Sequence, residues 1–395
     1  MQVRILHVIG DSKFGGASLG ILRLARHWRT LNWDVSVLST DPDFQEAATK
    51  NSVQVVPLDA VWREIRPVKD LIGLWRLTRF LRASEYTIVH THTTKAGFIG
   101  RLAAWMAGVP VVVHTSHGFA FHEASHPFRI AFYVALDRVA SWCCDKVITV
   151  SNFHANWGIK LGIAAPWKIQ SIPNGIPAPA LTTEDQRSRL RQSLGIDGDT
   201  LMLLTHGRLA AEKGLEDLLD AVAAVPSRAV RKFRLVLAGT GPLRAELEDR
   251  VRRLAIEDMV LFLGFRTDVA ELLNAADLVV LPTWREGLSI ALLEAMAAGC
   301  CIVTTSISPN REPTQDGRGA FLVPAKSPES IAQAIESLLS DPLRRHSYGS
   351  QARSIFEENY SMDRMLGSYQ QVYRTLLEEK EVAYSVSAVL PSHDR

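Results

Sequence analysis

Two glutamates eight residues apart, Glu286 and Glu294, lie in the segment PTWREGLSIALLEAMAAG, directly after a strand-like run. The pattern predicts a helix from Gly287 to Ala298 with Glu286 at its mouth. If both glutamates were helical, this spacing would place their side chains about 80° apart. A carboxylate at a helix mouth can accept hydrogen bonds from sugar or ribose hydroxyls. Free backbone amides there, in this case those of Gly287, Leu288 and Ser289, can hold an anion. On spacing alone, an acidic N-cap and a surface glutamate are the simpler interpretation.

A second candidate group is the pair of cations in GRLAAEKG, residues 207–214, which again follows a strand-like run. Arg208 would extend from a loop and Lys213 from a helix start, so both can reach one place. Two fixed cations suit a diphosphate leaving group, because negative charge builds on its oxygens as the bond to it breaks. An isolated arginine and lysine would more simply be solvated, but their position after a strand favours a shared site.

Two glycine-rich turns also follow predicted strands. GTGP at 239–242 contains Gly241, and FGGAS at 14–18 contains Gly15 and Gly16. Glycine lets the backbone approach a ligand closely at a helix N-terminus, which suits a phosphate. Plain strand-to-helix turns have the same composition, and G-x-G alone is a weak signal.

These groups can meet only if the elements around them form parallel sheets. Short β-branched runs alternate with helix-length amphipathic segments, which predicts βαβ units and ligand binding in the loops after the strands. In the first half we predict strands at 4–10, 34–40, 87–92, 110–117 and 146–151, and helices at 17–31, 95–107 and 127–142. A proline-rich hinge is predicted at 171–180. In the second half we predict strands at 201–207, 234–241, 260–264, 277–282 and 301–306, and late helices at 328–340 and 362–380.

The composition is typical of a globular protein with two or three domains, since 395 residues exceed one ordinary core. A formal charge of +2 gives no indication of a nucleic acid partner. No run approaches the ~18 apolar residues that a membrane span needs. The first ten residues, MQVRILHVIG, are interpreted as a strand rather than a signal peptide. The adjacent cysteine pairs Cys143–Cys144 and Cys300–Cys301 predict buried free thiols in a reducing cytoplasm.

In this order, the motifs together resemble glycosyltransferase family 4. The resemblance rests on Glu286 and Glu294 with LLEAMAAG, on GRLAAEKG, on the Gly15–Gly16 pair, on His117 in HTSHGF, and on VITVSNF and IPNGI. It spans roughly residues 3–375, and the combination is far more specific than any single motif. The segment from THTTKAG to GFAFHE looks like bacterial enzymes of capsular, exopolysaccharide or lipopolysaccharide assembly.

The resemblance implies the GT-B fold, an α/β architecture of two Rossmann-like, doubly wound parallel-sheet domains that face a central cleft. We expect an acceptor-side domain at 1–174, a nucleotide-sugar-binding domain at 175–362, and a helix at 363–395 that crosses back to the first domain before a loose tail. The implied reaction is a retaining, metal-independent hexosyl transfer from a UDP-sugar, or less readily a GDP-sugar, to a hydroxyl of a lipid-linked glycan. No cofactor is expected, because the nucleotide sugar is a substrate.

The resemblance also implies residue roles. Arg208 and Lys213 match cations that neutralise the donor diphosphate, Glu286 matches a contact to the donor sugar, and His117 a histidine beside that sugar. Donor-binding positions would be Gly16, Asn174, Gly241, Gly287, Leu288, Ser289 and Glu294, and acceptor-side positions Gly15 and His114. No side chain need act as a nucleophile, since a leaving phosphate oxygen can take the acceptor proton on the same face.

Two features leave alternatives open. His90 and His92 share a strand face, which could suggest a metal, but no carboxylate or cysteine set completes it, so packing or substrate contact is preferred. Residues 67–82 predict a basic amphipathic helix, within a segment from Arg63 to Arg101 that has eight lysines or arginines and three acids. Such a helix can lie on an anionic membrane, or cover a sheet with its arginines in water. The expected location is the cytoplasm, either free or at the inner face of the plasma membrane.

Three rival functions remain at this point. A nucleotide-sugar epimerase of the same fold would bind the same donor, although the context of Lys213 and Glu286 argues against it. A dinucleotide-dependent oxidoreductase would need G-x-G-x-x-G after the first strand, where the chain instead has Gly10 and the Gly15–Gly16 pair. A non-catalytic partner protein would not need the full set of arginine, lysine and glutamates.

Overall fold

The computed structural model describes residues 2–10, 16–62, 64–123, 125–180, 182–225 and 232–380. These residues divide into two compact units. The first runs up to Gly175 and resumes at Asp363, and the second extends from Ile176 to Met362. Each unit is built around one parallel sheet with helices, which confirms the predicted class of two Rossmann-like α/β domains.

The sheet of the first unit has seven parallel strands. They are β1 (Arg4–Val8), β2 (Asp34–Leu38), β3 (Gln54–Val55), β4 (Ile88–His92), β5 (Val111–Ser116), β6 (Lys146–Thr149) and β7 (Ile169–Ser171). Their order is β3-β2-β1-β4-β5-β6-β7, so the strand order reverses between β1 and β4. Ligands of open α/β sheets bind at such a switch point, beyond the carboxyl ends of the strands.

Six helices are interleaved with these strands. They are α1 (Gly16–Thr30), α2 (Pro42–Lys50), α3 (Pro67–Arg82), α4 (Thr94–Ala107), α5 (Pro127–Trp142) and α6 (Asn152–Lys160). Every residue of β4 and β5 is buried. Helices cover both faces of the sheet, so buried and exposed residues do not alternate along these strands.

The second unit repeats the architecture with six parallel strands. They are β8 (Leu201–His206), β9 (Phe233–Ala238), β10 (Val260–Gly264), β11 (Leu278–Leu281), β12 (Ile302–Thr305) and β13 (Phe321–Val323), in the order β10-β9-β8-β11-β12-β13. Its helices are α7 (Glu184–Ser193), α8 (Leu215–Ala224), α9 (Arg244–Arg253), α10 (Val269–Ala275), α11 (Ile290–Ala297), α12 (Ser308–Arg311), α13 (Pro328–Ser340) and α14 (Pro342–Asn359). Two short 3₁₀ turns occupy Ala211–Lys213 and Glu257–Met259.

The last described helix, α15 (Met362–Glu379), packs on the sheet of the first unit. The hydroxyl of Tyr373 is 2.5 Å from Nδ1 of His90, and its ring meets Trp28 edge-on at 5.3 Å between centroids. The hydroxyl of Tyr369 is 3.1 Å from Oγ1 of Thr115 on β5. Buried tyrosines need such partners for their hydroxyl groups, so this helix has a defined register on the sheet.

Within the described ranges, no helix combines the length and apolarity that crossing a bilayer requires. All four cysteines are free and buried, as their adjacent spacing predicts. Burial raises the pKa of the Cys300 and Cys301 thiols to about 12, so neither is a thiolate near neutral pH.

Candidate functional site

A cavity that is open to solvent lies at the carboxyl end of the sheet in the second unit. It is formed by the ends of β8, β9 and β11 and by the loops that follow them. Its lining comprises Thr205, His206, Gly207, Arg208, Leu209, Lys213, Leu215, Ala238, Leu281, Pro282, Thr283, Glu286, Ser289 and Ala291. The structure therefore brings four of the predicted site residues together: Arg208, Lys213, Glu286 and Ser289.

Lys213 and Glu286 form an ion pair on this lining. Nζ of Lys213 is 2.5 Å from Oε1 of Glu286, and the two side chains are 25% and 14% exposed. Oγ1 of Thr283 is 3.1 Å from the same carboxylate oxygen. A partly buried pair of this kind orients both groups, because the carboxylate accepts from two sides and the ammonium keeps donors for a ligand.

Two loops are joined to hold this pair in place. The loop after β8 contributes Glu212, whose carbonyl accepts from the amide of Trp284 at 2.8 Å. The indole Nε1 of Trp284 donates to Asp217 on α8 at 2.7 Å. Burial raises the pKa of the Asp217 carboxyl, and the indole hydrogen bond opposes that shift. These hydrogen bonds therefore tie the loops after β8 and β11 to each other and to α8.

Glycines permit the close approach of these loops. Gly214 has φ +63°, and a Cβ there would lie 2.1 Å from the carbonyl oxygen of Pro282. A Cβ on Gly241 would lie 2.2 Å from the carbonyl oxygen of Leu209. Gly241 therefore supports the loop that carries Arg208, and it is not on the cavity lining. Its predicted contact with the donor remains a prediction.

Arg208 is the more exposed of the two cations, with 51% of its side chain accessible. Its guanidinium pairs with Glu212, four residues along the same loop. Surface pairs of this kind contribute little to stability, so the guanidinium can exchange its carboxylate for an anionic ligand at low cost. Arg208 and Lys213 can thus present two cations to one ligand.

The helix that carries Glu294 begins later than the sequence pattern predicts, and this corrects the prediction of a helix from Gly287. Helix α11 starts at Ile290, and Ser289 is its N-cap, with Oγ accepting from the amide of Leu292 at 3.3 Å. Gly287 and Leu288 therefore lie in the preceding loop, and Glu286 is not on the helix. Serine is a preferred N-cap residue, so capping preferences could have located this start.

Glu294 has a partner that the sequence did not indicate. Nε2 of His206, the last residue of β8, is 3.0 Å from Oε2 of Glu294. Glu294 is not on the cavity lining itself, whereas His206 is. Besides Thr205 of β8, the sequence-based prediction missed two polar residues of the lining, His206 and Thr283. Both lie at or directly after the carboxyl end of a strand, and that position was the available signal.

The remaining predicted residues belong to the first unit. Gly16 is the first residue of α1, Asn174 follows β7, and His117 follows β5. Gly15 lies outside the described residues. His114 on β5 is 4% exposed, with its ring against Gly97 of α4 and Nδ1 3.0 Å from Oγ1 of Thr91. The ring of His114 is thus enclosed behind α4, and its acceptor-side role stays a prediction.

Chemically, the cavity of the second unit suits a polyanion with an attached polyol. Arg208 and Lys213 supply positive charge for phosphate oxygens, and Glu286 with Thr283 supplies oxygen atoms for hydroxyl groups. Every group faces the cavity from a loop held by backbone hydrogen bonds or glycine contacts, so the arrangement is present before a ligand arrives.

Comparisons with known proteins agree with this description. The family described as "Glycosyl transferases group 1" matches residues 186–355, and the family described as "Glycosyl transferase 4-like domain" matches residues 15–175. A UDP-Gal:alpha-D-GlcNAc-diphosphoundecaprenol alpha-1,3-galactosyltransferase of Escherichia coli is 31% identical over 74% of this chain and 76% of its own. The capsular polysaccharide biosynthesis glycosyltransferase CapM of Staphylococcus aureus is 23% identical over 96% of this chain and 98% of its own.

Among solved structures, HepE of Anabaena in complex with UDP and glucose superposes with a TM-score of 0.82. The superposition covers 95% of this chain and all of HepE, at 24% sequence identity. At this identity the likeness establishes the shared fold.

Proposed function

The chain belongs to glycosyltransferase family 4 of the GT-B fold and transfers a sugar from a nucleotide sugar; from this premise we propose that its donor is a UDP-sugar, that the transfer retains the anomeric configuration without a metal, and that its acceptor is a lipid-linked glycan. The observation that carries the donor site is the cavity where Lys213, Arg208 and Glu286 meet after β8 and β11.

The donor diphosphate would take the place of a carboxylate beside the two cations. Among the described residues Arg208 is held only by the neighbouring Glu212, so a phosphate can displace that partner. Lys213 keeps its pairing with Glu286 and directs its other donors into the cavity. As the bond from the sugar to the phosphate breaks, charge grows on the phosphate oxygen and both cations stabilise it.

Retention is supported by the state of Glu286. Its carboxylate is bound to Lys213 and Thr283, which lowers its nucleophilicity. We therefore assign it to orienting the donor sugar. In the proposed step the bond from C1 to the phosphate oxygen breaks, a bond from C1 to the acceptor oxygen forms on the same face, and the acceptor proton passes to the leaving phosphate oxygen. The protein contributes positioning and charge, which makes a resident metal unnecessary.

UDP is preferred over GDP because a 31% identical relative is named for a UDP-linked donor and the HepE structure holds UDP. The first of these also supports the acceptor, since its printed acceptor is a sugar on diphosphoundecaprenol. A GDP-sugar is the second candidate donor.

An exposed apolar surface on the first unit supports a lipid-linked acceptor. The predicted helix at 67–82 is α3, and it exposes Val68, Leu71, Ile72 and Trp75, the last to 60%. Its opposite side, which includes Leu77 and Leu81, is buried. The helix thus has two apolar sides, and only one of them is covered by the core.

The neighbouring helices extend this surface. On α5, Phe128, Phe132, Val139 and Trp142 form one stripe at helical spacing, with Phe128 81% exposed. Trp105 and Met106 are exposed at the end of α4, which packs against both α3 and α5. The only acids of the three helices, Asp70 and Asp137, are ion-paired with Lys95 and Arg101. Apolar side chains beside basic ones that form no ion pair with a described acidic residue suit an anionic lipid surface.

The decisive experiment is a calorimetric panel of UDP, GDP, ADP and their sugar conjugates, in EDTA. We expect saturable binding of uridine nucleotides that is lost in Arg208→Ala. The same samples are then offered a diphosphoundecaprenol-linked sugar, and the anomeric configuration of the product is read by NMR. Wild-type turnover in both Arg208→Ala and Glu294→Ala would remove the site assignment.

The panel also separates the rivals. An epimerase would convert the donor without an acceptor, and a non-catalytic partner protein would neither transfer nor hydrolyse it. An inverted product would exclude the retaining mechanism, and turnover lost in EDTA but restored by a divalent ion would exclude the metal-independent one.

A further inference from the structure

Three imidazoles form a hydrogen-bonded line in the first unit. Nδ1 of His7 on β1 is 3.1 Å from Nε2 of His92 on β4. Nδ1 of His92 is 3.3 Å from Nε2 of His117, directly after β5. The line therefore runs from inside the sheet to the carboxyl end of β5, and each ring contacts the next through a different nitrogen.

Strand order brings these rings together. β4 lies between β1 and β5, and Thr115 on β5 is the register partner of His92. His90 lies on the same side of β4, but it is not part of the line. Its nitrogens contact the hydroxyls of Tyr373 and Thr115 at 2.5 and 2.8 Å. Two separate hydrogen-bond networks, one through His92 and one through His90, therefore lie on the same side of the sheet.

Burial keeps all three rings of the line neutral near pH 7. It lowers the pKa of His7 to about 3 and that of His117 to about 4, and it holds the pKa of His92 well below its ordinary value. A neutral imidazole has one N–H and one bare nitrogen. The line consequently has two arrangements, with its protons directed either toward His7 or toward His117.

The two ends distinguish these arrangements. Nε2 of His7 and Nδ1 of His117 are enclosed, and neither has a hydrogen-bond partner among the described residues. Protons directed toward His7 would leave an unpaired N–H at the interior end. Protons directed toward His117 leave a bare acceptor there, which buried structure tolerates better than an unpaired donor. Nδ1 of His117 is enclosed as well, but it lies directly after β5, at the edge where open α/β sheets bind ligands, so a ligand there can accept from its N–H.

We propose that His92 and His7 are positioning residues that hold His117 in its Nδ1–H tautomer, so that His117 presents a hydrogen-bond donor at the carboxyl end of β5. The nitrogen that is protonated in a histidine is set by the hydrogen bond of the other nitrogen. The ligand group that fits this donor is an oxygen acceptor, such as a sugar hydroxyl or a phosphate oxygen. Its use in catalysis rests on the proposed glycosyl transfer.

A metal ion is the competing interpretation of the same residues. His7, His90 and His92 have ligating atoms within 4.8 Å of one another. However, the nitrogens of His90 and His92 are all engaged in hydrogen bonds, and a metal would have to replace them. The hydrogen-bonded line therefore accounts for these rings better.

The first test reads the tautomer directly and needs no activity. In full-length protein with ¹⁵N-labelled histidine at pH 7.5, ring nitrogen shifts distinguish protonated from bare nitrogens, and His117→Gln identifies the signal of His117. We expect Nδ1 of His117 to be protonated and Nε2 to be bare. The reverse tautomer would overturn the proposal. So would elemental analysis that finds one equivalent of zinc in the wild-type protein and none in His7→Gln.

Two variants of His92 form a matched pair. In His92→Asn the amide occupies the place of Nδ1 and can donate to His117, whereas in His92→Gln it occupies the place of Nε2 and reaches only His7. We expect His92→Asn to keep the Nδ1–H tautomer of His117. We expect His92→Gln to lose it and to lower kcat roughly tenfold or more, with a smaller change in KM.

His90→Asn is the control for burial, since it removes a histidine of the same strand and side that lies outside the line. It should lower the thermal midpoint without changing the tautomer of His117. If His92→Asn and His92→Gln had equal effects on the tautomer of His117 and on kcat, the line of histidines would contribute only packing, and the proposal would be wrong. If the tautomers follow the expectation and no nucleotide sugar is turned over, the line stands and the proposed function fails.

Discussion

Nζ of Lys213 lies 2.5 Å from Oε1 of Glu286, although 73 residues separate them in the chain. The pair is partly buried, and the hydroxyl of Thr283 donates to the same carboxylate oxygen at 3.1 Å. Because each charge orients the other, the two residues should contribute to turnover jointly rather than additively.

Removing the charge of Lys213 tests the diphosphate site. Lys213→Met keeps the length of the side chain, and we expect turnover to fall roughly 10²- to 10³-fold, as when a preorganised donor to a developing charge is removed. The control is Lys232→Met, whose ammonium lies 3.6 Å from Asp197 in a fully exposed pair. Steady-state kinetics with saturating donor provide the measurement. Comparable losses in both variants would contradict a specific role for Lys213.

The contact between His206 and Glu294 predicts an effect on nucleotide affinity. His206→Leu removes the hydrogen bond to a carboxylate that is expected to hold the ribose, so the Kd for UDP should rise roughly tenfold. The double variant His206→Leu/Glu294→Ala should bind little worse than Glu294→Ala alone, since the two residues act through one contact. Calorimetry measures all three. His346→Leu, on the exposed side of α14, should leave the Kd unchanged.

Gly214 should resist substitution for a backbone reason. Its φ of +63° and the carbonyl of Pro282, 2.1 Å from an added Cβ, leave no room for alanine. We expect Gly214→Ala to cost about 1 to 3 kcal/mol of unfolding free energy and to lower donor affinity, because the loops after β8 and β11 must separate. Urea unfolding gives the energy. Gly198→Ala is the matched control, with no atom within 4 Å of its added Cβ.

The exposed stripe on α5 predicts binding to anionic vesicles. The double variant Phe132→Ser/Trp142→Ser should reduce sedimentation with phosphatidylglycerol vesicles, while binding to phosphatidylcholine vesicles stays weak throughout. Raising the salt concentration should weaken the wild-type interaction.

The matched control changes two exposed apolar residues of the second unit, Phe265→Ser/Leu343→Ser, which are 75% and 82% exposed. Equal losses in the two double variants would contradict a defined surface. A concentration-dependent dimer that disappears only in the α5 variant would identify a second copy as the occupant instead.

Buried histidines predict how stability depends on pH. Burial lowers the pKa of His7 to about 3 and that of His154 to about 4. Below about pH 6.5 the unfolded chain therefore binds protons that the folded chain does not, so stability is retained above this pH and falls as pH decreases toward 4. At pH 5 unfolding should take up about one proton per buried histidine, measurable by calorimetry in buffers of different ionisation enthalpy. His154→Gln should reduce this uptake.

Local patterns were sufficient to predict most strands and helices of the sheets. Apolar runs in a parallel sheet are continuous because both of its sides are covered, so β5 and β8 could be located within one or two residues. Helices α7 and α14 were not predicted, because their hydrophobic residues show only a weak helical period.

The sequence by itself determined which side chains stand at strand ends, and so it identified Arg208, Lys213 and Glu286 as candidates. Only the tertiary structure decided which side chains they contact. The pairing of Lys213 with Glu286, of His206 with Glu294, and of His7 with His92 joins residues 73, 88 and 85 positions apart. Such contacts depend on which strands are neighbours in the sheet, and strand order is set by the packing of the whole unit rather than by any local period.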